Sequence, residues 1–440
     1  MHLENAQKNR VHEIYSDLSL YGSGENATAR IQAAIDEVSS QGGGVVTIHP
    51  GQYTVGTLVL KSGVYLHLLP GAELVASLDE ADYLDEIVYY PNAVGAPSMK
   101  ALLYARNVVN IGILGQGRLV GRDRSFWSPQ KPADQLTDDA THFTPNGWRP
   151  MMILFDTCQN IKMQDIHIAD SPCYTAWMID CQNVAINGVT VSNHFHGPNT
   201  DGIHLSSCQN VHVAGCSFHC GDDCIAIDGD GRMAASNIIV SNCIFESLTN
   251  AVRVYVGLEP FPFEDEEVFG EVTQVHISNC SVRNAAGGIN VVAKSGKITK
   301  ISVDHLTSTQ ALPGTCLFLQ TMNGGSIGDV SVSNVDMEGN GVASMVADAP
   351  SGIFRVAIRN STFQLHLKEK EWVNGFPDVI TDYTLYHQAP WTFYCRHVHG
   401  LKLEGIDVVW SDDSTPRPLL TNYHFTKDVY EDRLVSLSAS

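Results

Sequence analysis

Between residues 158 and 247 the chain runs through one phrase four times: CQNIKMQDIHIAD (158–170), CQNVAINGVTVSN (181–193), CQNVHVAGCSFHC (208–220) and SNIIVSNCIFES (236–247). Each copy sets an Asn before a β-branched residue and then alternates apolar with polar positions. Weaker copies follow at 273–284, 299–309, 328–339, 354–363 and 399–409, with one upstream at 105–117. Anchored on Ile161, Val184, Val211, Ile238, Val275, Ile301, Val330 and Val356, the steps run from 23 to 37 residues, which is a solenoid period.

Within each copy, runs of four or five residues with period-two alternation are separated by Gly, Asn and Ser, the mark of short strands joined by turns. One coil cannot bury its apolar side alone. Stacked coils can, through continuous parallel sheets and inward ladders of Ile, Val and Leu, with Asn hydrogen-bonding along the stack at turns. A leucine-rich repeat would need its Leu/Asn consensus and a helical segment in every unit, and a β-propeller would need longer units. The pattern therefore predicts an all-β parallel β-helix, one elongated domain over residues 1–440, with coils at about 45–364 and 398–440.

Solenoid ends expose unpaired edges and call for caps. NATARIQAAIDEV (26–38) offers an N-cap at Asn26 and apolar residues at Ile31, Ala34, Ile35 and Val38 in helical spacing, predicting an amphipathic cap helix within about 24–41. Gly42-Gly43-Gly44 ends it. The stretch 365–397, with Trp372, Phe376, Tyr383, Tyr386, Trp391, Phe393 and Tyr394, breaks the period and reads as a loop or flap.

A net charge of −21 opposes nucleic acid and anionic membranes as partners. The opening residues lack the apolar run of a secretory signal, and no stretch reaches the length of a membrane span. The 11 cysteines are odd in number and carry no paired spacing, which favours buried reduced thiols over a disulfide framework. Both facts lead to an expectation of a cytoplasmic protein. The 18 histidines form no metal-ligand spacing, so no metal is expected.

Aligning strands on their inward residues puts Ile203, Ile225, Val252 and Ile289 in one ladder. Asp201 and Asp223 then share a column on adjacent coils, with Asp222 one position before Asp223. Strands about 4.8 Å apart crowd three carboxylates into one patch, so at least one keeps a proton at neutral pH. Glycoside hydrolysis needs that division: one protonated carboxyl for the leaving oxygen and one carboxylate to activate water or attack the sugar. The plainer alternatives are a calcium site or solvated turn aspartates. NTDG followed one coil later by GDD is more specific than an isolated Asp-Asp pair and favours catalysis.

GQYTVGTLVLKSGVYLHLLPGAEL near the start, then HGPNTDGIHLSSCQNV and GDDCIAI, together resemble the polygalacturonase family, glycoside hydrolase family 28, over roughly residues 40 to 360. The resemblance implies a right-handed β-helix performing inverting hydrolysis without a cofactor. It implies Asp222 as general acid, Asp201 and Asp223 as the pair that positions and deprotonates water, and Asn199 as the residue orienting the cluster. The chain departs from the family pattern in three places. Leu248-Thr249-Asn250 stands where the family has Gly-His-Gly, Asn290-Val291-Val292 where it has Arg-x-Lys, and Asp228 where a lysine is common. Losing cations and gaining an acid disfavours a galacturonate in the central subsite.

Replacements lie on the outward column Trp177, His204, Ala226, Arg253 and Asn290. Arg253 could grip a carboxylate or several hydroxyls, or pair with local acids; Trp177 could stack on a sugar or pack under a loop. His204 could support the acid/base network, and His196 and Lys294 could line the cleft. An oligosaccharide or polysaccharide is the expected partner, with exo action on pectin-derived or related short chains. Two other readings remain open: a β-helix lyase or epimerase in which Arg253 or Lys294 abstracts a proton and the aspartates hold calcium, and a non-catalytic carbohydrate-binding solenoid.

Overall fold

The computed structural model describes residues 11–14, 26–85, 99–130, 143–257, 270–285, 287–308, 315–339, 341–350, 352–365, 393–410, 430–434 and 438–439. They form a right-handed parallel β-helix. The eight repeat anchors are true neighbours: Ile161, Val184, Val211, Ile238, Val275, Ile301, Val330 and Val356 pair in that order, with Ile111 before them and Leu401 after. All ten side chains are buried in one continuous core. Each such apolar side chain contributes about 1.5–3 kcal/mol when removed from water, which is why an irregular period survives while the anchors do not shift. The longest step, from Ile238 to Val275, contains residues 258–269, which lie outside the described residues.

The Asn that opens each phrase marks a turn. Asn110, Asn160, Asn183, Asn210 and Asn237 all adopt left-handed backbone with φ of 55–58°. Asn is among the few L-residues that take this conformation readily. From Asn160 onward each amide nitrogen donates to the amide oxygen of the Asn one coil before, at 2.9–3.1 Å, so the turns are stitched along the stack. All 11 cysteines are buried and unbridged. Cys181 and Cys208 turn their thiols to the carbonyls of Phe155 and Met178 on the preceding coils, consistent with thiols stacked inside a repeat.

Helix Thr28–Ser40 covers the N-terminal end with Ile31, Ala34, Ile35 and Val38 buried. Its N-cap position is Ala27 rather than Asn26, although Asn26 Oδ1 still accepts from Thr28 N–H at 2.9 Å. At the other end Gly43 N–H donates to the Val38 carbonyl at 2.9 Å with φ +99°, and a Cβ there would lie 2.7 Å from the Gly63 carbonyl oxygen. Val11–Ile14, upstream of the helix, adds a parallel strand against Val45–Ile48 that the repeat pattern did not reveal.

The aromatic stretch 365–397 is only partly a departure from the coils. Leu365 ends the strand Ile353–Leu365, and Phe393–Arg396 is a strand paired with Ala343–Val346. Residues 366–392, with Trp372, Phe376, Tyr383, Tyr386 and Trp391, lie outside the described residues. Val398–Trp410 continues the long sheet.

Candidate active site

A second sheet of eleven parallel strands, from Leu58–Val59 to Phe393–Arg396, carries the acidic motifs. Ile203, Ile225, Val252 and Ile289 pair in succession, so the register read from inward residues is the register observed. Gly202 N–H donates to the Asp223 carbonyl at 2.9 Å, which fixes Asp201 beside Asp223. Asn250, two residues before Val252, continues their column. One carboxylate oxygen from each of Asp201, Asp222 and Asp223 falls within 4.8 Å of the others.

The three carboxylates differ in setting. Asp201 and Asp223 are 5% and 1% exposed, whereas Asp222 is half-buried at the rim. Burial pushes Asp201 well above the usual carboxylate range, the charges of Asp222 and Asp223 push the same way, and Arg253 pulls back. Burial, then the Asp223 charge, raise Asp222 to about 6 against the same opposing arginine. Donors converge on Asp223: Asn250 Nδ2 at 2.7 Å, Thr249 Oγ1 at 3.0 Å and Arg253 Nη1 at 3.4 Å. Thr249 also lies 3.2 Å from Asp222 Oδ1. Ser247 Oγ donates to the Asp222 carbonyl at 2.6 Å and accepts from Thr249 N–H at 2.9 Å, which locks the threonine in place.

These donors argue against a cation at the cluster. Ca²⁺ requires six to eight oxygen ligands at about 2.3–2.6 Å. Here three hydrogen-bearing groups, one of them a guanidinium, already face Asp223.

Asn199 sits in left-handed backbone with φ +55°, and its Oδ1 accepts from Arg149 Nη2 at 2.6 Å. Arg149 is 3% exposed and also donates to the carbonyls of Pro172 and Pro198 at 3.1 and 2.6 Å. It clamps the turn that delivers Asp201. His204 Nε2 lies 2.9 Å from Asp228 Oδ2 and 2.8 Å from the Tyr255 hydroxyl, while Nδ1 is 3.9 Å from Asp201 Oδ2. The acid at position 228 thus holds the histidine that backs Asp201.

Trp177 is 6% exposed, stacks on His204 with ring centroids 5.3 Å apart, and donates from Nε1 to Ser206 at 2.7 Å. It is a support beneath the site rather than an open platform for a sugar. Arg253 reaches Asp223 and packs over the Tyr255 ring at 4.7 Å. Asn290 pairs with Arg253 across the strands and hydrogen-bonds Asn250 at 3.3 Å. The His196 ring lies beside those of His194 and Phe195. Lys294 is exposed just past the strand Gly287–Ala293, whose first residue pairs with Asn250. At about 3.3 Å per residue that puts it roughly 23 Å along the strand from the cluster.

The profile of the family "Glycosyl hydrolases family 28" matches residues 95–311. A "Probable polygalacturonase" of Vitis vinifera is 23% identical over 432 residues, covering 92% of this chain and 79% of that protein. Among solved structures, a hyperthermoactive exopolygalacturonase from Thermotoga maritima aligns with TM-score 0.61 at 17% identity, covering 90% of this chain and 91% of its own. A polygalacturonase from Erwinia carotovora aligns with TM-score 0.61 at 16% identity, covering 91% of this chain and 94% of its own. The structural likenesses establish the shared fold. Fold, carboxylate cluster and relatives together define a glycosidase built on a parallel β-helix. Over residues 95–311 the chain is similar to glycoside hydrolase family 28.

Proposed function

We propose that the chain hydrolyses glycosidic bonds of pectin-derived saccharides with inversion, Asp222 acting as general acid. The observation that carries this reading is the contrast between a half-buried Asp222 raised to about 6 and an Asp223 on which three donors converge. Asp222, at the rim, gives its proton to the glycosidic oxygen as the bond to C1 breaks. A water held by Asp201 and Asp223 attacks C1 from the opposite face, and Asp223 takes its proton. Asp201, raised well above the carboxylate range, orients that water and is itself backed by His204.

The polygalacturonase names of the relatives support pectin as the source of substrate, and the exopolygalacturonase of similar fold supports exo action. Eleven buried, unbridged thiols accord with work in a reducing compartment, on short imported chains. The expected result is release of reducing sugar from pectic oligosaccharides that a chelator does not slow. A product with the ultraviolet absorbance of an unsaturated sugar, formed only with calcium, would replace this reading with a lyase.

A further inference from the structure

A line of amides leads from the carboxylates along the stack. Asn250 Nδ2 donates to Asp223 Oδ1 at 2.7 Å, and Asn290 Nδ2 donates to Asn250 Oδ1 at 3.3 Å. An ionised carboxylate only accepts, so the orientation of both amides is dictated from Asp223 outward. Asn250 must turn its nitrogen to Asp223, its oxygen then faces Asn290, and Asn290 must answer with nitrogen. Asn290 is left with Oδ1 as an acceptor that has no hydrogen-bond partner among the described residues, on a residue 1% exposed. A buried acceptor in that state is completed by a donor from outside the protein. Arg253, its partner on the preceding coil, has a side chain that is 25% exposed.

The surroundings are wrong for an anion. The outward positions nearest Asn290 on its own strand and the next two coils are Val292, Phe318, Gln320 and Ser344, all uncharged. Arg253, the cation in contact with the cluster, already serves Asp223. A carboxylate entering here would meet Asp201, Asp222 and Asp223, and would have to draw Arg253 away from one of them. It would also offer Asn290 Oδ1 no hydrogen. A sugar hydroxyl offers one.

We infer that Asn290 Oδ1 accepts a hydroxyl of a neutral sugar in the subsite next to the cleaved bond, and that a uronic acid is rejected there. The inference rests on the glycosidase reading above and narrows its substrate. Pectic oligosaccharides are compared before and after chemical reduction of their carboxyl groups, which turns each uronic acid into the neutral sugar and leaves every linkage intact.

The chain is expected to cleave the reduced pool with kcat/KM higher by about 100-fold or more, a site built to hydrogen-bond a hydroxyl being able to reject a ligand lacking it by up to about 10⁴–10⁵. Asn290→Leu removes most of that difference, and Asn290→Arg shifts preference towards the native pool, each with a melting curve close to that of the parent. Equal or faster cleavage of the native pool by the parent overturns the inference and leaves the glycosidase reading standing. An unchanged ratio in a folded Asn290→Leu protein overturns the role of Asn290. Cleavage of neither pool removes the glycosidase reading, and the inference with it. Should both variants fail to fold, the parent's ratio decides alone.

Discussion

Asp222→Asn abolishes hydrolysis to within about 10⁻³ of the parent kcat while leaving KM within a few-fold, because the amide has no proton to give the leaving oxygen but fills the same space. The parent carries a matching pH signature. Its acid is raised to about 6, so kcat/KM falls as pH rises through that value and the proton is lost. Stability moves in the same direction. The folded carboxyl binds its proton more tightly than the unfolded one, whose ordinary value is 3.8, so its ionisation costs the fold stability above pH 6 and that cost fades as pH falls towards 4. Asp222→Asn should therefore melt at a higher temperature than the parent at pH 8, by an amount on the order of 1–3 kcal/mol, and the gap should close below pH 4. A variant equal to the parent in rate, or one less stable at pH 8, contradicts this assignment.

Gly202→Ala is expected to lower kcat about 100-fold or more without touching a carboxylate. A Cβ at this position would lie 2.4 Å from the Cys224 carbonyl oxygen and 2.7 Å from a ring carbon of Phe218. Cys224 directly follows Asp223, and Gly202 directly follows Asp201. The strain is relieved only by moving the two coils apart, which separates the carboxylates that must share one water. Misplacement by about 1 Å is enough for a loss of this size. Steady-state kinetics beside a melting curve separate the two effects: retained kcat with a lowered melting temperature would show that the cluster tolerates the shift.

The register of the site was legible in the sequence because period-two alternation leaves one solution when one face is buried. A one-residue slip of Ile203, Ile225, Val252 or Ile289 would turn that side chain into solvent. The column Trp177, His204, Ala226, Arg253 and Asn290 followed from it, and so did the meeting of Asp201 with Asp223. What lies over or beneath that column was not legible. Trp177 reads as a sugar platform from its outward position, yet its indole is taken up by His204 and Ser206, contacts set by side-chain rotamers and not by spacing.

The supports of the carboxylates were missed for a related reason. Thr249 and Asn250 register in the sequence only as the absence of an expected histidine, although they supply two of the donors at Asp223. Arg149 belongs to no repeat phrase, and nothing in its neighbourhood ties it to Asn199, 50 residues on. The helix boundary slipped by one residue because Asn26 accepts from the helix start without occupying the capping position itself.

The close packing of the cluster makes the stereochemistry of the product the sharpest check. Oxygens within 4.8 Å of one another are nearer than the roughly 6.5–9.5 Å of an inverting pair that faces a sugar from both sides, and a spacing of about 5 Å is the usual setting for a carboxylate nucleophile. With three carboxylates, two can hold one water while the third delivers a proton, and inversion results despite the short spacing. Proton NMR of the reaction in its first minutes reads this directly. The account predicts that the first hemiacetal formed has the anomeric configuration opposite to the cleaved linkage; a first product of retained configuration would mean that an aspartate, not water, attacks the sugar.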